Sequence, residues 1–299
     1  MSVPTLLLND GNSVPWIGFG TGTALYSKDA AEAVSVAIQN GFIHLDGAQV
    51  YNNEETLGVG VVQSGKPRSE LFVTTKLTKL KPGATPKSAL QESLKKLGLD
   101  QADLYLIHTP NNHKGQLKEV WKGMEECKKD GLTKSIGVSN FAVEHLEEIL
   151  EVATIPPSVN QIELHPYVWK ALQPVFEIHK QHGIVTSSYA GLSPLFRGKG
   201  GPLDPVIESI RQRLQTTRGQ PVTDSQVLNK WLKQNGILVI TTTSKAERAR
   251  EYVDTVNVPD LTAEEIALIE KTGSQLHQRY FPGIGLLSRS LFYYARISP

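Results

Sequence analysis

An acid, a tyrosine, a lysine and a histidine follow one another along the chain, each at or just past the end of an apolar, strand-like run. Asp46 follows FIHL, Tyr51 lies about one turn further on, Lys76 closes LFVTT and His108 closes LYLI. In parallel β/α barrels, the loops at the carboxyl ends of the strands carry the chemistry. Because neighbouring strands lie about 4.8 Å apart, we expect these four side chains to meet in one pocket.

These residue types suit the protonation of an oxygen on which negative charge develops. A free tyrosine has a pKa of about 10, which a nearby ammonium lowers by stabilising the phenolate. Lys76 supplies the ammonium for Tyr51, and Asp46 can hold that ammonium in place. His108 can orient a carbonyl oxygen or share the proton. The set therefore favours carbonyl reduction, for which the hydride has to come from a cofactor.

The elements that must position these residues alternate between strand-like and helix-like stretches, which predicts βα units and a parallel sheet. Most of the strand-like runs are continuously apolar, as in strands buried on both faces. The runs are WIGFG, FIHLD, LFVTTK, LYLIH, SIGVSN, VNQIEL, IVTSSY and ILVIT. Eight is the strand number of a (β/α)8 TIM barrel, the α/β fold that we predict. With no linker-like segment, residues 1–299 are predicted to form one domain.

Local signals predict where the elements begin and end. Thr85 and Pro86 are typical of a helix start and Gly98 of a helix end. Thr262 and Glu265 predict a capping box. TLLL–NDGN–SVP at the amino terminus resembles a β-hairpin that could close the bottom of the barrel. Residues 191–205 are predicted to be a long loop after the seventh strand, and residues 273–299 an irregular tail; both are expected over the mouth of the site.

Composition excludes several classes of partner. Lys and Arg number 31 against 30 Asp and Glu, so the net charge of +1 gives no basic stripe for nucleic acid. No run approaches the roughly 18 apolar residues of a membrane span, and the amino terminus lacks a signal-peptide pattern. The single cysteine, Cys127, suits a reducing compartment and is interpreted as buried filler. We expect a cytoplasmic monomer with no obligate protein partner.

The motifs around the candidate residues resemble those of the aldo-keto reductases, NAD(P)H-dependent enzymes built on a (β/α)8 barrel. The shared motifs are D-G-A-x-x-Y-x-N-E, TTK, LIH, GVSNF and VNQIELHP, and the resemblance extends from GFGTGT to the region of Arg248. It implies that Tyr51 is the general acid, that Lys76 and Asp46 tune it, and that His108 orients the substrate.

The same resemblance implies an NADPH site outside any Rossmann fold, since GFGTGT lacks the third glycine of that fingerprint. Gly20 and Thr21 would let the backbone approach the ribose or pyrophosphate, and a tight turn after the first strand is compatible with this. The nicotinamide contacts implied are Ser139, Asn140 and Gln161 to the carboxamide and Tyr189 stacked on the ring. For Gln161, an internal hydrogen bond is an open alternative.

After the eighth strand, the sequence TTTSKAERAREY departs from the family's usual Pro-Lys-Ser. Thr243 can still offer a hydroxyl, Lys245 can supply the displaced charge, and Arg248 matches the family's arginine for the 2′-phosphate of NADPH. The alternative is a solvated helix start in which Arg248 only pairs with Glu251.

The threonine-rich variant resembles a fungal branch that reduces conjugated polyketones, ketopantoyl lactone or α-keto amides. Gly22 and Thr109 stand where the family usually has tryptophans, which predicts a wider and more polar pocket. The expected substrates are small carbonyl compounds, with activated ketones or dicarbonyls preferred to aldose sugars.

The sequence also bears on two other function classes. A regulatory protein on the same barrel could bind NADPH with little turnover, since such relatives can keep the four residues. A metal-dependent hydrolase would need clustered His and carboxylate ligands. His108 and His165 lie near strand ends without a paired ligand set, so no metal site is predicted.

Overall fold

The computed structural model describes residues 3–282 and confirms the predicted TIM barrel. A hairpin of β1 (Thr5–Leu7) and β2 (Ser13–Pro15) precedes a closed parallel barrel in which the last strand pairs with the first. The barrel strands are β3 (Ile17–Gly20), β4 (His44–Asp46), β5 (Phe72–Leu77), β6 (Ala102–Ile107), β7 (Thr133–Ser139), β8 (Val159–Glu163), β9 (Val185–Tyr189) and β10 (Leu238–Thr241).

Eleven α-helices lie within the described residues. They are α1 (Ala31–Gln39), α2 (Glu54–Gln63), α3 (Pro86–Leu97), α4 (Leu117–Lys129), α5 (Val143–Leu150), α6 (Gln173–His182), α7 (Ser193–Phe196), α8 (Asp204–Arg218), α9 (Asp224–Gln234), α10 (Ala246–Val253) and α11 (Ala263–Gly273). Between residues 3 and 282, no helix combines the length and apolar character that a membrane crossing requires.

The predicted caps are present. Thr85 Oγ1 accepts a hydrogen bond from Ser88 N at 3.2 Å, and α3 ends at Gly98, whose φ of +65° suits glycine. Thr262 Oγ1 accepts from Glu265 N at 3.2 Å, and Glu265 Oε2 accepts in return from Thr262 N, which forms the expected capping box.

The hairpin closes the amino-terminal end of the barrel, as its sequence suggested. Leu8 and Val14 are buried in one cluster with Leu104 and Leu106 of β6 and other barrel residues. Asn9 Nδ2 donates to Pro157 O at 2.9 Å, which ties the hairpin turn to the chain before β8. The opposite, carboxyl end of the barrel is left for the candidate site.

The single cysteine, Cys127, is fully buried as predicted. Burial raises the pKa of its thiol to about 12.

The prediction that residues 191–205 form only a loop is wrong, because α7 lies within this segment and α8 begins at Asp204. Prolines in the first turn of both helices fix a helical φ there. In the predicted tail, α11 reaches Gly273, residues 274–282 have no helix or strand, and residues 283–299 lie outside the described part.

Candidate active site

The structure brings Asp46, Tyr51 and Lys76 together at the carboxyl end of the barrel. The register places Asp46 of β4 beside Thr74 of β5, so that Lys76 lies two residues further along β5. Lys76 Nζ donates to Asp46 Oδ1 at 2.5 Å, to Gly47 O at 2.9 Å and to Tyr51 Oη at 3.4 Å. An ammonium has three hydrogens, so each of them has one of these acceptors, and the third acceptor is the Tyr51 phenol oxygen.

Burial and charge oppose each other in this group. Lys76 is completely buried, which alone would lower its pKa, but Asp46 and Tyr51 outweigh burial and the pKa of Lys76 is raised. The lysine is therefore charged at neutral pH. For Tyr51, burial raises the pKa, and although Lys76 lowers it, the net direction is upward. The expectation of a net lowered Tyr51 pKa is therefore wrong, because desolvation of the phenolate exceeds the attraction of the ammonium.

His108 lies on the other side of the phenol. Its ring meets the Tyr51 ring edge to face, with 5.4 Å between centroids. Burial and then the charge of Lys76 lower the pKa of His108 to about 3, so the imidazole is neutral near pH 7. A neutral imidazole beside a protonated phenol gives two groups that can hydrogen-bond one carbonyl oxygen.

These pKa directions give a testable pH profile. Proton donation requires the phenol form of Tyr51, and a raised pKa keeps that form up to and beyond pH 10. His108 changes charge only near pH 3. We therefore expect kcat for carbonyl reduction, measured by stopped-flow absorbance, to stay level from about pH 5 to about pH 10 and to fall only above that. An acidic limb with its midpoint near 6.5 would contradict a neutral, buried His108.

The Thr21 side chain is packed beneath the cavity, between Gly20 and Gly22, which line it. It is fully buried, and both its backbone N and its Oγ1 donate to Asp46 O, at 3.0 and 3.2 Å. Asn53 Nδ2 donates to Thr21 O at 3.0 Å and to Leu25 O at 2.8 Å. Thr21 and Asn53 thus hold the backbone around Asp46 in place. Asn53 belongs to the D-G-A-x-x-Y-x-N-E motif, which was the available signal for this role.

Gln161 forms the internal hydrogen bond that its sequence position left open. It lines the cavity, and its Nε2 donates to Asp46 Oδ2 at 2.8 Å. Both carboxylate oxygens of Asp46 are therefore occupied, one by Lys76 and one by Gln161. The internal bond fixes the orientation of Asp46 and leaves Gln161 Oε1 as an acceptor beside the cavity.

Ser139, Asn140 and Tyr189 form a hydrogen-bonded wall of the same cavity. Ser139 Oγ donates to Gln161 O at 2.8 Å and accepts from Asn140 Nδ2 at 3.0 Å. Tyr189 Oη donates to Asn140 Oδ1 at 2.7 Å. Asn140 has a φ of +63°, a conformation that asparagine tolerates better than most residues. The wall presents acceptor lone pairs, which suit the amino group of a carboxamide.

A cavity of about 940 Å³ opens above these residues. Asp46, Tyr51 and His108 line it, whereas Lys76 is fully buried beneath them. Gly20 and the pocket residues Gly22 and Thr109 line it too, together with Thr241, Thr242, Tyr26, Phe196, Arg197 and Phe281. The position of the cavity matches the mouth of the barrel that was expected to hold substrate and cofactor.

Gly22 lies directly against the Tyr51 ring. A Cβ built on Gly22 would lie 2.5 Å from Tyr51 Cζ and 2.8 Å from its Cε2, so the phenol ring rests on the bare backbone. Tyr51 itself therefore occupies the direction that a side chain at position 22 would take. The absence of a side chain at position 22 therefore lets the phenol lie against the backbone.

We expect Gly22→Ala to displace the Tyr51 ring and to lower kcat by about 10²-fold, since a misplacement of about 1 Å can cost that much. Steady-state kinetics beside thermal unfolding would test this, with Gly65→Ala as control. At Gly65 an added Cβ meets nothing within 4 Å, but the φ of +71° is strained for alanine. The control should lose stability and keep kcat; equal kcat in both variants would contradict the positioning role.

The residues expected at the cofactor phosphate lie beyond the cavity, near α10. Thr243 Oγ1 accepts from Lys245 N at 3.1 Å, and Lys245 is exposed. The Arg248 guanidinium lies 5.7 Å from the centre of the Phe196 ring, and Phe196 lines the cavity. Glu251, the alternative partner of Arg248, instead accepts from Thr223 Oγ1 at 2.7 Å. Arg248 is thus placed at the edge of the cavity mouth.

Comparison with known proteins identifies the family. Residues 16–273 match the Aldo/keto reductase family. The chain belongs to this family. The NAD/NADP-dependent indole-3-acetaldehyde reductase of Schizosaccharomyces pombe is 40% identical over 283 residues, which cover 91% of this chain and 96% of that protein. The NADPH-dependent alpha-keto amide reductase of Saccharomyces cerevisiae is 34% identical over 283 residues, 89% of each chain.

A further reductase and a solved aldo-keto reductase structure are also similar to this chain. The glyoxal reductase of Bacillus subtilis is 36% identical over 267 residues, covering 89% of this chain and 91% of that protein. The crystal structure of the Bombyx mori aldo-keto reductase in complex with NADP superposes with a TM-score of 0.79 at 33% identity, covering 91% of this chain and 93% of that one. The protein is therefore an oxidoreductase that acts on carbonyl groups.

Proposed function

We propose that this aldo/keto reductase uses NADPH to reduce activated ketones, dicarbonyls and aldehydes, with Tyr51 as the general acid. The observation that carries the proposal is a fully buried lysine whose charge is fixed by Asp46 and directed at a phenol facing the 940 Å³ cavity. A buried charge is costly to keep, and this one is placed where it stabilises a phenolate.

The chain's own residues account for the proton transfer. A carbonyl oxygen between Tyr51 Oη and the neutral His108 ring would accept hydrogen bonds from both. As negative charge develops on that oxygen, Tyr51 donates its proton, and the resulting phenolate is stabilised by Lys76, held in turn by Asp46. A nicotinamide cofactor, when bound in the cavity, would supply the hydride. The raised pKa of Tyr51 keeps the acid protonated before this step.

The cavity fits a nicotinamide cofactor. Ser139, Asn140 and Gln161 present acceptor capacity near Asp46, and Tyr189 offers a ring beside them. Further along, the buried Thr242 Oγ1 has no hydrogen-bond partner, although its residue lines the cavity. Buried hydroxyls are normally paired, so this one suits a polar group of a ligand.

Preference for NADPH is supported by charge at the far end of the cavity. Arg248 and Lys245 can meet a 2′-phosphate, which NADH lacks. The S. cerevisiae relative is named as NADPH-dependent and the S. pombe relative as NAD/NADP-dependent. The cation pair and the name of the S. cerevisiae relative favour NADPH, and Lys245 takes the place of the usual lysine three residues earlier.

The proposed substrate class rests on the pocket wall opposite the cofactor. Thr109 adds a hydroxyl next to His108 and leaves space where the family usually has tryptophan. Named relatives act on indole-3-acetaldehyde, alpha-keto amides and glyoxal. A carbonyl made electron-poor by a neighbouring carbonyl or amide suits this mildly polar site.

The test is a panel of isatin, ketopantoyl lactone, an α-keto amide and xylose, each mixed with the purified protein and either NADPH or NADH. Consumption of NADPH with the first three and not with xylose supports the proposal. Equal rates with NADH would remove the cofactor preference, and faster reduction of xylose would remove the substrate class. Binding of NADPH without consumption of any member would favour a cofactor-binding regulatory protein.

A further inference from the structure

Two polar residues of the cavity wall, Thr78 and Asn112, take no part in the proton transfer described above. Both line the cavity and both are half-buried. The register pairs Leu77 at the end of β5 with Ile107 at the end of β6, and His108 N donates to Leu77 O at 3.0 Å. Thr78 and His108 therefore lie side by side where these neighbouring strands end, about one strand spacing of 4.8 Å apart.

The backbone of Thr78 is held from two sides. Thr78 N donates to Gln49 Oε1 at 2.9 Å, and His113 Nε2 donates to Thr78 O at 3.1 Å. The Gln49 carboxamide is itself fixed, because its Nε2 donates to Ala89 O and to Ser93 Oγ, both at 3.0 Å. In the described part of the chain the Thr78 hydroxyl has no hydrogen-bond partner, so it is a fixed polar group that remains available to a ligand.

Asn112 lies on the turn that follows His108. Its backbone N donates to Thr109 O at 3.4 Å, and the next residue, His113, is the buried ring that donates to Thr78. With the residues that the structure describes, the Asn112 carboxamide forms no hydrogen bond. A carboxamide can both donate and accept, so this side chain adds a second unused polar group to the same part of the wall.

The oxygen that is reduced does not need these two groups. A carbonyl oxygen has two lone pairs, and in the proposed mechanism Tyr51 and His108 donate to both. A bound substrate would displace water from Thr78 and Asn112, and a polar group that loses water without gaining a new partner opposes binding. A second oxygen on the carbon next to the reacting carbonyl would supply that partner, whereas a simple aldehyde has none to offer.

We propose that Thr78 and Asn112 are specificity residues that recognise a second substrate oxygen, on the carbon next to the reacting carbonyl. The Thr78 hydroxyl donates to this oxygen, and the Asn112 carboxamide can pair with the oxygen or with the amino group of an α-keto amide. The favoured substrates are then 1,2-dicarbonyl compounds and α-keto amides, with simple aldehydes below them. This inference rests on the proposed function, whose substrate class it narrows.

The test compares kcat/KM with NADPH for two electron-poor carbonyl compounds: 2-oxo-2-phenylacetamide, which has the second oxygen, and pyridine-3-carbaldehyde, which lacks it. Thr78→Val and Asn112→Leu remove the polar groups at nearly constant side-chain size. Each is expected to lower kcat/KM for the α-keto amide about tenfold, as for the loss of one good hydrogen bond, and to change that for the aldehyde by no more than about twofold. Thr78→Ser keeps the hydroxyl and should keep most of the wild-type preference.

Thr217→Val is the matched control for the loss of a threonine hydroxyl. Thr217 is exposed on α8, away from the cavity, where its Oγ1 donates to Arg213 O at 3.0 Å. It should leave kcat/KM for both compounds at the wild-type value.

Two results with the variants would overturn the recognition of a second oxygen. One is an equal loss with both compounds in Thr78→Val and Asn112→Leu, which would indicate an effect of pocket shape; the other is wild-type kcat/KM for both compounds in both variants. A wild-type protein that reduces only pyridine-3-carbaldehyde would also overturn the inference and leave the reductase activity standing. Reduction of neither compound would overturn the proposed function, and the inference with it.

Discussion

Replacing Tyr51 with phenylalanine is expected to lower kcat for carbonyl reduction by about 10³-fold, within the range typical of a lost general acid. The substitution removes only the hydroxyl that Lys76 Nζ approaches to 3.4 Å. The phenyl ring can still rest on Gly22 and meet His108 edge to face. We therefore expect NADPH affinity, measured by fluorescence titration, to remain close to that of the wild type.

Tyr26→Phe is the matched control for this variant. Tyr26 lines the same cavity and its ring centroid lies 6.4 Å from that of Tyr51, but it is 46% exposed and away from Lys76. Its loss of a hydroxyl should change kcat by no more than about threefold, within the range of a surface substitution. Turnover in Tyr51→Phe close to that of Tyr26→Phe would contradict the acid role.

Replacing Lys76 with methionine is expected to lower both activity and stability. It removes the charge that stabilises the Tyr51 phenolate, and it leaves the buried Asp46 carboxylate without its cation. Breaking a buried ion pair from one side typically costs about 3–5 kcal/mol of the free energy of unfolding. Urea unfolding should show a loss of this order, and kcat should fall by at least about 10²-fold.

The double variant Asp46→Asn with Lys76→Met separates the two effects. With both charges gone, no unpaired charge is buried, and most of the stability lost in Lys76→Met should return. Activity should stay low, because nothing stabilises the phenolate. A double variant as unstable as the single one would show that packing, and not the unpaired charge, sets the cost; recovered activity would contradict the role of Lys76.

The barrel and the meeting of the four residues could be predicted from the sequence because both follow from local pattern. Continuous apolar runs indicate strands buried on both faces. A polar residue at the carboxyl end of such a run is therefore expected at the carboxyl end of the barrel. Asp46, Lys76 and His108 all obey this rule. Helix caps at Thr85 and Thr262 are equally local and were equally predictable.

What the sequence could not indicate depends on contacts between elements. The hydrogen bond between Gln161 and Asp46 joins β8 to β4 across the barrel. The buried position of the Thr21 side chain depends on its hydrogen bond with Asn53, thirty-two residues away. The raised pKa of Tyr51 follows from how completely the folded chain removes water, which residue types alone do not specify. The contact of Gly22 with the Tyr51 ring likewise requires coordinates.

The most direct test of the central claim is to follow the hydride itself. The purified protein would react with isatin and with NADPH that carries two deuterium atoms at C4 of the nicotinamide. The mass of the alcohol product would be measured by mass spectrometry. Direct hydride transfer with proton donation by the site predicts an alcohol one mass unit heavier than that from unlabelled NADPH, and almost none of it from Tyr51→Phe. Consumption of NADPH without label in the product, or no product at all, would contradict the account.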